Sequence, residues 1–167
     1  MIVVANTTPL ILLAKCGLFS LFQRFYGQLL LPPAVWREVV EEGNGRAGQQ
    51  ETADARTTGW IAVRDLQGRE MAQRLRDTFG LGEGESEVIA LAQECTADLV
   101  LLDDERAVKQ ARELGFVVRR TPGILALAKN QGFIVSVKEH LVALRAEGLW
   151  LSAQAYERIL RDIGEEP

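Results

Sequence analysis

The sequence predicts an α/β fold in which a mainly parallel sheet is covered by helices on both faces. Three observations carry this. Short apolar runs alternate with segments of helical period. The first, fourth and fifth runs are apolar without alternation, as in strands buried on both sides. Glycine, proline and capping residues punctuate the joins between segments.

The expected strands are residues 2–5, 28–31, 60–63, 98–102 and 116–119. The first, Ile2 to Ala5, stops at Asn6. Thr8 is placed to cap the next helix, with Pro9 at its first position and Gly17 closing it. Pro33 opens the helical segment AVWREVVEE, which ends at Gly43, and GNGRAGQQ (43–50) reads as a glycine-rich surface loop. Asp104 caps ERAVKQAREL, closed by Gly115. From Ser136 onward the chain reads as helical. Behind Ser152 as a cap, Tyr156, Ile159, Leu160 and Ile163 fall on one stripe, a cover for the core or a dimer face. Alternating strands and helices with right-handed crossovers give a doubly wound layer structure.

The 167 residues suit one domain, long enough to bury roughly two-thirds of its unfolded surface. Apolar content of 47% and charged content of 25% are ordinary for a globular chain. A net charge of −4 and a pI of 5.2 exclude nucleic-acid binding by bulk electrostatics. A local patch is compatible with that balance, and Arg106, Lys109, Arg119, Arg120 and Lys129 follow the fourth and fifth strands. No apolar run approaches the ~18 residues of a membrane span. No basic segment with a long apolar core opens the chain, so a cytoplasmic setting is expected. Cys16 and Cys95 are the two cysteines, which excludes a disulfide framework and a four-cysteine zinc site.

His140 is the one histidine. HExxH zinc chemistry is therefore excluded, and GxSxG does not occur. Chemistry, if present, must come from carboxylates.

In an open α/β sheet, ligands bind beyond the carboxyl ends of the strands. Asn6 ends the first strand, and Asp103 and Asp104 end the fourth. Glu85 lies three, four and seven residues before the apolar Val88, Ile89 and Ala92, so it continues an apolar stripe and points inward. An inward carboxylate is costly without a partner. Glu83 and Glu87 are expected to point into solvent. Glu38, after Ala34 and Val35, leans over the same edge. Like charges gathered in one cleft repel, and a divalent ion is the usual remedy. Oxygen ligands without histidine or thiolate suit Mg²⁺ or Mn²⁺, and such ions commonly serve phosphoryl chemistry.

Four segments in order resemble the PIN-domain family, closest to a PIN-like subgroup beside the VapC toxins. They are Asn6-Thr7-Thr8-Pro9-Leu10, Pro32-Pro33-Ala34-Val35-Trp36-Arg37-Glu38, Leu81-Gly82-Glu83-Gly84-Glu85 and Leu102-Asp103-Asp104. The resemblance implies a three-layer α/β/α fold over residues 1–135 and a helical C-terminal extension, 136–167, packing on the domain or on a partner. It implies a metal-dependent nuclease acting on RNA, with Mg²⁺ or Mn²⁺ as cofactor. A toxin role beside an antitoxin protein and a homodimer are also implied. Carried over by position, Asn6, Glu38, Glu85 and the pair Asp103 and Asp104 are the site acids or their replacement, with Thr7 as the hydroxyl beside the first. Asn6, Glu85, Asp103 and Asp104 are the implied metal ligands. Asn6 departs from the acid most such nucleases carry; an amide oxygen still coordinates Mg²⁺ but brings no charge. The alternative reading is a catalytically weakened domain kept for dimerisation or binding.

Overall fold

Each apolar run becomes a short strand. The strands are β1 Val3–Ala5, β2 Leu29–Leu31, β3 Ile61–Val63, β4 Leu99–Leu101 and β5 Val118–Arg119. They form one parallel sheet of order β3-β2-β1-β4-β5, with Val4 opposite both Leu30 and Val100. β1 and β4 are buried at every position, as their unbroken apolar sequence requires. The computed structural model describes all residues, 1–167, which divide into two compact units, Met1–Arg120 and Thr121–Pro167.

In the first unit the helices are α1 Thr7–Lys15, α2 Leu21–Tyr26, α3 Pro33–Trp36, α4 Gln49–Thr57, α5 Glu70–Phe79, α6 Glu83–Cys95 and α7 Glu105–Glu113. From β1 the chain winds outward through β2 to β3, then returns across β1 to β4 and β5. With right-handed crossovers, that reversal puts α1, α2 and α4 on one face and α5 to α7 on the other, while the short α3 packs against α6. The reversal point lies between β1 and β4, where the Asn6 N–H donates to the Leu101 carbonyl at 3.0 Å. The crevice beyond these two strand ends is where such a sheet binds its ligand.

Two local expectations change. α1 begins at Thr7 with Asn6 as the residue before it, so Thr8 is not the cap and Pro9 is the third helical residue. Asn6 stays extended (φ −90°, ψ 170°) because its N–H is taken by the sheet, and the helix starts as soon as that bond is made. The helix after β2 is also not uniform. α3 widens after Trp36 into a π turn over Arg37–Glu41, closed by Glu42 N–H to the Arg37 carbonyl at 2.8 Å. The Gln49 side-chain amide takes up the Val40 carbonyl at 2.7 Å.

The second unit holds α8 Thr121–Asn130, α9 Val137–Ala146 and α10 Ala153–Asp162. Ser136 and Ser152 cap α9 and α10 through their hydroxyls, as capping chemistry predicts. On the α10 stripe Leu160 is fully buried and Tyr156 lies under the Arg145 guanidinium, while Ile159 and Ile163 are half-buried. No helix is long and apolar enough to cross a membrane.

Candidate functional site

Four of the predicted residues meet at the carboxyl edge of the sheet. Asn6 is 2% exposed and its side-chain amide donates to Glu85 Oε1 at 3.3 Å. Thr7, buried beside it, donates its hydroxyl to Glu38 Oε2 at 2.8 Å. Glu38 reaches this hydroxyl from the π turn. A π turn changes the direction of successive side chains and is frequent at functional sites. Glu85 stands in the first turn of α6, whose Val88, Ile89 and Ala92 are buried as the apolar stripe requires.

Gly84 holds these groups together. A Cβ there would lie 3.1 Å from Asn6 Oδ1 and 3.4 Å from Glu38 Oε2. The two oxygens therefore converge over a residue that has no side chain to separate them. Asn6 Oδ1 is buried and has no hydrogen-bond partner. Glu38, Gly84 and Glu85 open onto a cleft of about 250 Å³, lined also by Ala34, Arg37, Glu42, Gly82 and Glu83, with Asn6 and Thr7 buried behind them.

The other two predicted residues separate from each other. Asp103 is 7% exposed, just beyond the end of β4 and so beside the strand that delivers Asn6. Asp104 is exposed and caps α7, its Oδ1 accepting from Ala107 N–H at 3.0 Å. No three carboxylate, imidazole or thiolate side chains stand close enough together to hold a metal ion. Asn6 is the reason in part, because the central position of the cluster carries an amide.

The family comparison decides what the chain belongs to. A family model described as PIN domain matches residues 2–165. The chain is a member of the PIN-domain family. A solved PilT N-terminus domain protein from the hyperthermophilic archaeon Sulfolobus solfataricus has the same fold, with a TM-score of 0.58 at 19% identity, covering 77% of this chain and 93% of its own. No curated protein matches the chain. PIN domains are generally nucleases that bind nucleic acid and use divalent metals.

Within this PIN domain two acids expected in solvent have partners. Glu87 accepts the Ala34 N–H at 2.8 Å and so ties the start of α3 to α6. Glu83 is exposed but pairs with Arg37 at 2.6 Å. Most of the basic residues singled out by position are engaged elsewhere. Lys109 pairs with Glu113, Arg120 with Glu105 and Lys129 with Glu165, while Arg119 donates to the Tyr26 hydroxyl at 3.3 Å. His140 lies outside the acidic group, with Nδ1 donating to the Ser136 carbonyl at 2.8 Å.

Two residues of the cleft escaped the sequence reading. Gly84 had a signal, since a glycine in the first turn of a helix costs about 1 kcal/mol against alanine and asks for a packing reason. Arg37 had only its place beside Glu38. It is the one cation lining the cleft.

Proposed function

We propose that this PIN domain is a metal-dependent endoribonuclease that cuts RNA phosphodiesters in the cleft lined by Glu38 and Glu85, beside the buried Asn6. One observation carries the reading: Asn6 Oδ1 is buried without a partner and converges with Glu38 Oε2 over Gly84. A buried acceptor left unpaired costs about 1–3 kcal/mol, and a hard cation is a partner of the right chemistry for it.

The donor set fits such an ion in kind, since it is all oxygen and suits Mg²⁺ or Mn²⁺. Asn6, Glu38 and Glu85 would hold it, with Asp103 at the neighbouring strand end. Bound there, it supplies an acidified water as nucleophile and neutralises the phosphate. The chain's own part is orientation. Thr7 fixes the direction of the Glu38 carboxylate, the Asn6 amide nitrogen fixes Glu85, and Glu87 keeps α3 seated on α6. A toxin role with a small antitoxin protein and action as a homodimer belong to the same reading. Growth arrest on expression and the mass in solution test them.

The deciding experiment is RNA cleavage by the purified protein in Mn²⁺. Expected is cleavage abolished by chelator and reduced at least about a hundredfold in Glu85→Ala, the scale of losing an electrostatic group at the reacting centre. Cleavage that survives chelation, or is unchanged in Glu85→Ala, overturns the reading. The absence of three gathered acids favours a second one, a PIN domain whose weakened site no longer cuts and which is kept for dimerisation or partner binding. A clear rise in melting temperature with Mn²⁺ counts against that second reading.

A further inference from the structure

The cleft that bounds Glu85 continues past a single ion pair. Arg37 and Glu83 line the cleft of about 250 Å³ and also line a second cavity of about 150 Å³, formed with Pro33, Asp65, Leu66, Arg69 and Glu87. The Arg37 to Glu83 pair is thus the partition between the two. It is short, 2.6 Å from Nη2 to Oε2, and Glu42 stands 3.6 Å from the Arg37 Nε on the other side. Its members are nevertheless open to water, 41% and 45% exposed. Exposed pairs of this kind contribute little net stability, so exchanging one anion for another costs the fold little.

Charge makes the exchange useful. The first cleft is lined by Glu38, Glu42, Glu83 and Glu85 and by one cation, Arg37. A polyanion entering it meets repulsion everywhere except at that guanidinium. A guanidinium binds phosphate through two parallel hydrogen bonds, which a carboxylate already matches in shape. Glu83 occupies one of these donor positions, at the Arg37 Nη2, and Glu42 stands by the Nε, so the two acids hold the guanidinium at the cleft where a phosphate could replace them.

We propose that Arg37 is the phosphate-binding residue of the cleft. A backbone phosphate next to the reacting one displaces Glu83, and the opened partition lets the strand pass toward Arg69. This rests on the nuclease reading for its substrate class, RNA, and adds to it a residue and a path.

The test is the affinity of a short single-stranded RNA with phosphorothioate linkages, measured in Mg²⁺ across a salt series. Arg37→Gln should bind about tenfold more weakly and lower the slope of log affinity against log salt by about 0.7, the loss of one phosphate contact on a single strand. Glu83→Gln should bind more tightly than the native protein, because it frees Arg37 and removes one repelling charge. The charge-reversed double variant Arg37→Glu with Glu83→Arg should keep the melting temperature of the native chain but not its affinity. Native-like RNA affinity in that double variant, or an unchanged slope in Arg37→Gln, reduces the pair to a strut and overturns the proposal. Those results leave metal-dependent cleavage by the native protein standing. No RNA binding by the native protein overturns both readings together.

Discussion

Two carboxylates, Glu85 in the sheet unit and Glu165 in the helical unit, show what separates a charge used for folding from one left available. Glu165 is saturated. It receives Lys129 Nζ and Val137 N–H at 2.7 Å, Lys138 N–H at 2.8 Å and the Ser136 hydroxyl at 3.1 Å. The start of α9 thereby gains an anion for its unpaired N–H groups. Glu85 receives one amide donor at 3.3 Å, beside an Asn6 oxygen that has none. The helical unit spends its acid internally, whereas the cleft leaves acids and an acceptor unsatisfied. Binding sites are commonly kept at such a cost to stability.

The largest effect should come from removing the saturated acid. Glu165→Ala leaves Lys129, 25% exposed, without its ion-pair partner and the first N–H groups of α9 without their acceptor. The expected loss is about 3 kcal/mol by denaturant unfolding, the scale for breaking a partly buried pair. Glu85→Gln should cost less than about 0.5 kcal/mol or even stabilise, because it removes a repelling charge from a cleft that also holds Glu38 and Glu83. Equal losses in the two variants would break the contrast.

Acid should read the same difference. Burial works against ionisation of Glu165, but its contacts with Lys129, Val137, Lys138 and Ser136 outweigh that and hold its pKa at about 2, against an ordinary 4.5. The folded form thus binds its proton later than the unfolded chain. The stabilisation is complete above about pH 4.5 and is lost as pH falls from there toward 2. Unfolding midpoints followed over that range should drop in the native protein and drop less in Glu165→Gln. Parallel curves would remove Glu165 from the account.

The two regions were also unequally legible. All five strands were readable because their apolar runs are local signals, and Ser136, Ser152 and Asp104 announced their caps by residue type and position. Glu85 was readable from its place at the head of an apolar stripe. Contacts between distant residues carried no such signal. Nothing in the sequence places Glu165 on the start of α9, some 28 residues earlier, or Glu87 on the Ala34 N–H. The π turn that aims Glu38 breaks the 3.6-residue period used to read helices, so it was hidden by the rule itself. Asp103 and Asp104 are adjacent in sequence, and only the backbone at the end of β4 shows that one is buried and the other caps a helix.

A small substitution gives the sharpest test of the cleft. Asn6→Asp changes one atom of the side chain, from amide nitrogen to oxygen. It removes the donor that Glu85 accepts at 3.3 Å and puts a second negative charge in its place. Without metal the variant should melt lower than the native chain, by the few degrees that about 1 kcal/mol represents in a protein of this size. With Mn²⁺ the order should reverse, because the added charge tightens the ion about tenfold or more, and ion binding to the folded form is added stability. A cleft prepared for a cation converts the repulsion into affinity. A cleft that is only an exposed acidic surface keeps the loss with and without Mn²⁺, and that outcome would place Asn6 with Glu165 among the groups spent on the fold.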